Sequence, residues 1–240
     1  MSVTQSFDPS IPVAEAKSET DELIYRISHD LRASVRALQE LPAWIIEDLD
    51  AASISVPAQT GRHLELIADH ACRLDLMLTG LLEYSRVGRM QPIAPVRPID
   101  VLNSVVEDLG LPEDCVLSIS VDKGSVQMGD ADLARIYSIL LINAVRFNTA
   151  SPQRIDISGG PISDRKWSIV VTDNGTGIPE QKRDFVLRPM TKLVSRDVDP
   201  GAGMGLAILR KIAWCYGGNV KIEDAKTGSG TSVRVTLAVN

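Results

Sequence analysis

Apolar residues first fall into register at about Glu22. From there to Asp50, Ile24, Ile27, Leu31, Leu38 and Ile45 recur at three-, four- and seven-residue steps. That spacing marks the buried seam of a helical bundle. Pro42 lies inside the run and removes an amide bond to Leu38, which predicts a kink. Ala51 to Thr60, with Ser53, Ser55 and Pro57, reads as a turn. A second run of threes and fours extends from about Gly61 to Val87, through Leu64, Ile67, Ala71, Leu74, Leu78, Leu81 and Ser85. Two antiparallel helices of this size make a hairpin roughly 40 Å long. A lone hairpin leaves one side of its stripe open. A second copy would close it into a four-helix bundle, so a homodimer is expected.

Residues 1–19 have no period and predict a flexible leader, ahead of a helical-hairpin domain over residues 20–88. Pro92, Pro95 and Pro98 stand at three-residue intervals and predict a semi-stiff linker over residues 89–98. Residues 99–240 then alternate in type. Val101 to Leu109, Leu133 to Arg146 and Ala207 to Tyr216 read as helices. Val116 to Val121 reads as a strand, Ile155 to Ser158 and Trp167 to Thr172 as paired strands, and Asn219 to Glu223 with Ser232 to Val239 as a closing hairpin. The expected architecture is two-domain: a dimerising helical hairpin, then an α/β sandwich with helices on one face of a mixed sheet.

Aromatics make up only 4% of the chain, so Leu, Ile, Val and Ala must fill the core. The net charge of −6 argues against nucleic acid as the main partner. No apolar run approaches a membrane span, and the first residues do not form a signal peptide. Cys72, Cys115 and Cys215 lie far apart without metal-ligand spacing. They read as reduced, semi-buried residues of a cytoplasmic protein.

Four segments carry candidate chemistry. His29 falls opposite the apolar seam, beside Asp30. An outward imidazole whose ring proton a carboxylate can take or orient is a candidate nucleophile, although most surface histidines carry no chemistry. Asp173-Asn174-Gly175-Thr176-Gly177 follows the β-branched run Ile169 to Thr172. Its carboxylate could accept from a base amino group, with Gly175 and Gly177 letting backbone approach a ligand; the same residues suit a hairpin turn. Gly201, Gly203 and Gly205, then Leu206, precede a helical run. They could turn free amides towards phosphate, or form a flexible lid. Asn143 sits in an apolar helix, where its carbonyl oxygen could ligate Mg²⁺ or cap a neighbouring strand. Arg146, one turn further on, could reach a phosphate.

In this order the segments resemble a two-component sensor histidine kinase over residues 20–240. Ser28-His29-Asp30-Leu31-Arg32 resembles the phosphoacceptor box, and Glu83-Tyr84-Ser85-Arg86 the end of the second bundle helix. Asn143-Ala144-Val145-Arg146-Phe147 resembles the N box, and the two glycine clusters the G boxes. The resemblance implies ATP and Mg²⁺ as cofactors, with Asp173 on adenine and Asn143 on the metal. Arg146, Phe147, Lys192, Gly201, Gly203, Gly205 and Leu206 would line the nucleotide. It implies attack of His29 on the γ-phosphoryl group with Asp30 as base, then transfer to an aspartate of a response regulator receiver domain. Competing readings are another ATPase of the same superfamily, or a phosphotransfer scaffold with an inactive ATP domain.

The chain departs from the family pattern at several positions. Ser34 stands where proline is frequent. Ala33 stands where strong phosphatases carry threonine or asparagine, so weak phosphatase activity is expected. Ile139 replaces an earlier asparagine of the N box, and Leu187 and Met190 replace phenylalanines near the lid. Arg26, Arg32 and Arg36 lie on or near the His29 face, either as a solvated surface or to steer an acidic partner. His63 and His70 have no paired acid motif and read as surface or structural residues. Only a short acidic leader precedes the hairpin, so the signal is expected from a separate sensor protein or a missing N-terminal sensor domain.

Overall fold

The computed structural model describes residues 13–88, 91–194, 201–226 and 228–238. The chain divides into two compact units, Met1–Arg86 and Val87–Asn240.

In the first unit, α1 (Val13–Ala51) and α2 (Ala58–Arg86) pack against each other as a hairpin. The helix α1 begins well before Glu22, so the expected leader is helical from Val13; residues 1–12 lie outside the described residues. Pro42 does not end α1, which continues to Ala51. The turn closes with the Ile54 amide donating to the Leu49 carbonyl at 2.9 Å.

The seam buried within this hairpin keeps the expected Leu64, Ala71, Leu78 and Ser85 on α2 but differs from the expected stripe on α1. It consists of Ser28, Val35 and Pro42, seven residues apart on α1, with Leu64, Ala71, Leu78, Leu82 and Ser85 of α2. The sequence stripe of Ile27, Leu31, Leu38 and Ile45 remains 42–49% exposed on the single chain, as do Ile67 and Leu74 on α2, at 44% and 45%.

In the second unit, β1 (Ala94–Val96) and β3 (Val126–Met128) form a small antiparallel ribbon. The expected linker is therefore partly a strand, and Pro98 opens α3 (Pro98–Leu109), where a missing amide is harmless. A ribbon with open edges tolerates Pro95. The main sheet has the order β2 (Cys115–Val121), β4 (Gln153–Ser163), β5 (Lys166–Asp173), β7 (Thr231–Ala238), β6 (Asn219–Asp224). The β2–β4 pair is parallel and the others antiparallel. On one face, α4 (Asp130–Arg146) packs on β4 and β5, α6 (Gly205–Cys215) packs on β6 and β7, and α3 packs on α4. The core joins Leu133, Ile136 and Leu141 of α4 and Ile208 and Ile212 of α6 to Ile155, Ile157, Ile169 and Val235 of the sheet. Alternation along the strands sends Asp156, Ser158 and Arg234 to the other face. The single helical turn α5 (Arg183–Val186) precedes the loop that leads to α6. Among the described residues no helix is long and apolar enough to cross a membrane.

Candidate active site

The burial of Ser28 in the hairpin seam sets the rotation of α1 and so turns His29 outward. The imidazole is 67% exposed, and its Nδ1 lies 3.2 Å from Asp30 Oδ1. With the ring proton on Nδ1, that nitrogen donates to Asp30 and Nε2 keeps its lone pair towards solvent. Arg26 pairs with Glu22 one turn away, whereas Arg32 and Arg36 take no ion pair among the described residues. His63 lies 2.9 Å from the Gln59 amide nitrogen, with no acid partner, and His70 is exposed. None of the three cysteines forms a disulfide; Cys72 and Cys215 are more exposed than expected, and burial pushes the Cys115 thiol up.

In the second unit, Asp173 ends β5 in the middle of the sheet. Its Oδ1 accepts from the amides of Gly175 at 2.8 Å and Thr231 at 3.1 Å. That leaves Oδ2 as an acceptor in a half-buried setting. Burial raises the Asp173 carboxyl above its ordinary value, and the two amide bonds oppose that rise. Gly175 has no room for a side chain: a Cβ there would lie 2.9 Å from the Phe147 carbonyl oxygen and 3.1 Å from Asn148 Cα. The turn from Asp173 to Gly177 is thus pressed against the end of α4, where Asn143, Arg146 and Phe147 lie.

Asn174 is the pin of that contact. Its Oδ1 accepts from the Asn148 side chain at 2.8 Å and the Arg154 amide at 2.7 Å, and its Nδ2 donates to the Pro152 carbonyl at 3.1 Å. The carboxamide of Asn143, partly exposed, takes no partner among the described residues, so its oxygen is available to a ligand. Arg146 is exposed and its guanidinium carbon stands 6.0 Å from the Phe147 ring centre.

The loop from α5 to α6 is closed at its base. Gly203 has φ 69°, and a Cβ there would lie 2.6 Å from the Thr191 carbonyl oxygen and 3.0 Å from Lys192 Cγ. Thr191 is anchored by hydrogen bonds to the carbonyls of Phe185 and Arg188 at 2.9 and 2.7 Å. Gly201 lies just before this pinch, and residues 195–200 lie outside the described residues. Gly205 opens α6, and Leu206 packs on a cluster of Val186, Leu187 and Ile222. Leu187 thus fills its place by aliphatic packing, while Met190 is 45% exposed. Ile139 is buried beneath the start of α6, its Cγ2 3.5 Å from where a Gly205 Cβ would stand.

Gly230 and Thr231 complete the Asp173 pocket and carry no signal in the sequence beyond Gly-Ser-Gly-Thr, an ordinary turn composition. A shallow hollow of about 610 Å³ beside Arg97, Ile119, Lys123 and Gly160 contains none of the candidate residues.

An acceptor at a strand end, a glycine turn packed against the end of α4, and a pinched loop leading into a helix N-terminus fit an adenine nucleotide. The histidine kinase-, DNA gyrase B-, and HSP90-like ATPase family matches residues 129–240. Over nearly its whole length the chain resembles sensor histidine kinases. The sensor protein KdpD of Rathayibacter rathayi is 31% identical over 95% of this chain and 26% of its own length. The signal transduction histidine-protein kinase/phosphatase MprB of Mycobacterium avium (strain 104) is 27% identical over 98% of this chain and 46% of its own length. The chain therefore spans between about a quarter and a half of these relatives. Among solved structures, full-length ShkA in complex with AMPPNP has a TM-score of 0.66 at 18% identity, over 92% of this chain and 46% of that one. The mycobacterial sensor histidine kinase MprB has a TM-score of 0.55 at 24% identity, over 62% of this chain and 98% of that one. Both show the fold.

Proposed function

We propose that the chain is an ATP-dependent protein-histidine autokinase that phosphorylates His29 and passes the phosphoryl group to an aspartate of a response regulator receiver domain. The observation that carries this reading is the exposed His29, held at Nδ1 by Asp30 in a chain whose second unit has the Asp173 pocket. Asp173 Oδ2 accepts from the adenine amino group, and Gly175 and Gly177 let the turn beside it pack against Phe147 and Gly230, which holds that carboxylate in place. Arg146, Lys192 and the amides from Gly201 to Gly205 and Leu206 face the phosphates, with Phe147 beside them.

In the transfer, His29 Nε2 attacks the γ-phosphorus. The bond from that phosphorus to the β–γ bridging oxygen breaks, and the electron pair leaves with ADP. Asp30 takes the Nδ1 proton, so the phosphorylated ring is neutral. Positioning and charge neutralisation dominate such reactions. Among the described residues no group of three acidic, histidine or cysteine side chains could hold a metal. The free Asn143 oxygen fits Mg²⁺ all the same, because this ion keeps several waters and takes phosphate oxygens. Held there, it would neutralise charge on the phosphates.

The open stripe on the hairpin supports a homodimer with a four-helix bundle, and the free Arg32 and Arg36 support an acidic partner surface. Ala33 has no hydrogen-bonding side chain to orient a water, which supports weak phosphatase activity. MprB carries phosphatase in its name; that belongs to MprB. The signal would come from a sensor protein or sensor domain. Incubation with γ-labelled ATP tests the reading: wild type takes up acid-labile label, and His29→Ala takes up none. ATP hydrolysis without labelling would identify another kind of ATPase, and the absence of ATP binding a scaffold.

A further inference from the structure

Tyr25 lies one turn before His29 on α1, and its ring stacks on the imidazole, with centroids 6.3 Å apart and planes inclined by 25°. Residues four apart on a helix share a face, so this contact is built into the local sequence. From the last turn of α2, the Arg86 guanidinium stands over the same Tyr25 ring, 5.2 Å from its centre. That is within the range of a cation–π contact. Three side chains from two helices thus form a ladder, Arg86 to Tyr25 to His29.

An imidazole that is 67% exposed has few restraints of its own. The 3.2 Å contact with Asp30 ties Nδ1 but leaves the ring able to leave that rotamer for solvent. Each departure takes the Nε2 lone pair out of line with an incoming phosphorus. A flat aromatic face alongside the ring narrows that freedom without touching either nitrogen. Arg86 in turn anchors the Tyr25 ring, which is itself 36% exposed.

We propose that Tyr25, held by Arg86, is a positioning residue for phosphorylation of His29: it biases the imidazole to the rotamer that keeps Nδ1 on Asp30 and Nε2 outward. The inference rests on His29 being the phosphoacceptor.

Two measurements on the full chain test it. The first is proton NMR of the imidazole C–H signals, which come from only three histidines. The His29 signals carry a ring-current shift in wild type, keep it in Tyr25→Phe and lose it in Tyr25→Leu. The second is autophosphorylation kinetics. In Tyr25→Leu, kcat falls about fivefold, the bias one exposed aromatic contact supplies, and KM for ATP is unchanged. Tyr25→Phe restores kcat, and Arg86→Gln falls between. Wild-type kcat in Tyr25→Leu, or a Tyr25→Phe variant as slow as Tyr25→Leu, overturns the proposal. If Tyr25→Leu loses its helix content, Arg86→Gln decides: wild-type kcat with the ring shift lost overturns the proposal. Failure of wild type to label at His29 sinks the kinase reading instead, and the NMR arm still reports the stack.

Discussion

The backbone of Gly230 lies directly against Asp173: a Cβ on Gly230 would fall 2.0 Å from the Asp173 carbonyl oxygen. Gly230 also has φ 135°, outside the usual range of residues with side chains. This close approach brings the Thr231 amide within 3.1 Å of the Asp173 carboxylate. The strand that ends in the acid and the turn that opens its neighbour meet at that point.

Gly230→Ala forces the two backbones apart. It should destabilise the second unit by about 2–4 kcal/mol, from strain at φ and from overlap with a carbonyl that cannot yield cheaply. Gly110→Ala is the control. Gly110 has φ 54° and nothing within 4 Å of its Cβ direction, so only the backbone penalty of about 1–2 kcal/mol applies. Thermal melts of the two variants check the difference, and nucleotide binding should fail in the first alone.

Asp173→Asn keeps an oxygen for the Gly175 and Thr231 amides but turns an amino group towards the base. ATP affinity should fall about 10- to 100-fold, the effect of opposing two donors in a partly buried site. A 6-oxo purine triphosphate presents an acceptor instead and should recover part of that loss. Calorimetry with both nucleotides measures the swap.

The same carboxyl predicts a pH dependence of opposite sign for stability and for binding. Its folded pKa is raised by burial, so on acidification the native state takes up a proton before the unfolded chain does. The burial penalty of the ionised form is present at neutral pH and is relieved as pH falls through the folded pKa. The contribution of Asp173 to stability therefore rises on acidification, while ATP binding weakens because the carboxylate acceptor is lost. The difference between wild type and Asp173→Asn, followed from neutral pH into the carboxylate range, isolates both effects.

The second unit was the more legible part of the sequence, because its strands alternate and its helices carry periodic apolar residues. What escaped was tertiary. Gly230 reads as a turn residue until the sheet order places β7 beside β5. Ala94 to Val96 reads as linker because it contains Pro95 and lies between Pro92 and Pro98, and only pairing with Val126 to Met128 makes it a strand. In the hairpin, hydropathy found Leu64, Ala71 and Leu78 of the α2 seam, but on α1 it found Ile27, Leu31, Leu38 and Ile45 in place of Ser28, Val35 and Pro42, because Ser28 is polar and Pro42 reads as a kink. The candidate residues lie in recognisable motifs, and the turn that holds Asp173 and Gly175 meets Phe147 at the end of α4. Asn148 and Asn174, which lock that contact, carry no mark beyond their polarity.

The open hairpin stripe predicts self-association. Leu38→Asp combined with Leu74→Asp should raise the dimer dissociation constant at least about a hundredfold, because each apolar side chain is lost twice in a symmetric interface. Sedimentation equilibrium measures the constant. Circular dichroism should show the helices retained, since Leu38 and Leu74 lie outside the buried seam of Ser28, Val35, Leu64 and Leu78.

Arg36 lies two turns beyond His29 and has no ion pair among the described residues. Arg36→Glu should slow phosphoryl transfer to the regulator about tenfold at low salt and leave autophosphorylation unchanged. The loss should shrink as ionic strength rises, because steering between exposed charges is screened over about 10 Å at 0.1 M salt. Arg26→Glu should do less, since Arg26 already pairs with Glu22. Stopped-time transfer assays at two salt concentrations separate the two.

Ala33 is exposed one turn beyond His29, on the same helix face. Its methyl group cannot hold a water in line with a phosphoaspartyl bond, so the wild-type chain should remove label from a phosphorylated regulator no faster than the regulator loses it alone. Ala33→Thr supplies a hydroxyl at that place without disturbing the seam, which runs through Ser28 and Val35. It should speed label loss about tenfold, less than the roughly 10²–10⁴-fold of a general acid or base, because the hydroxyl only orients the water. Ala33→Val, which matches threonine in shape but has no hydroxyl, should not. The three proteins are compared by the decay of regulator label after ATP is removed, and equal decay in Ala33→Thr and Ala33→Val would place the hydrolytic water elsewhere.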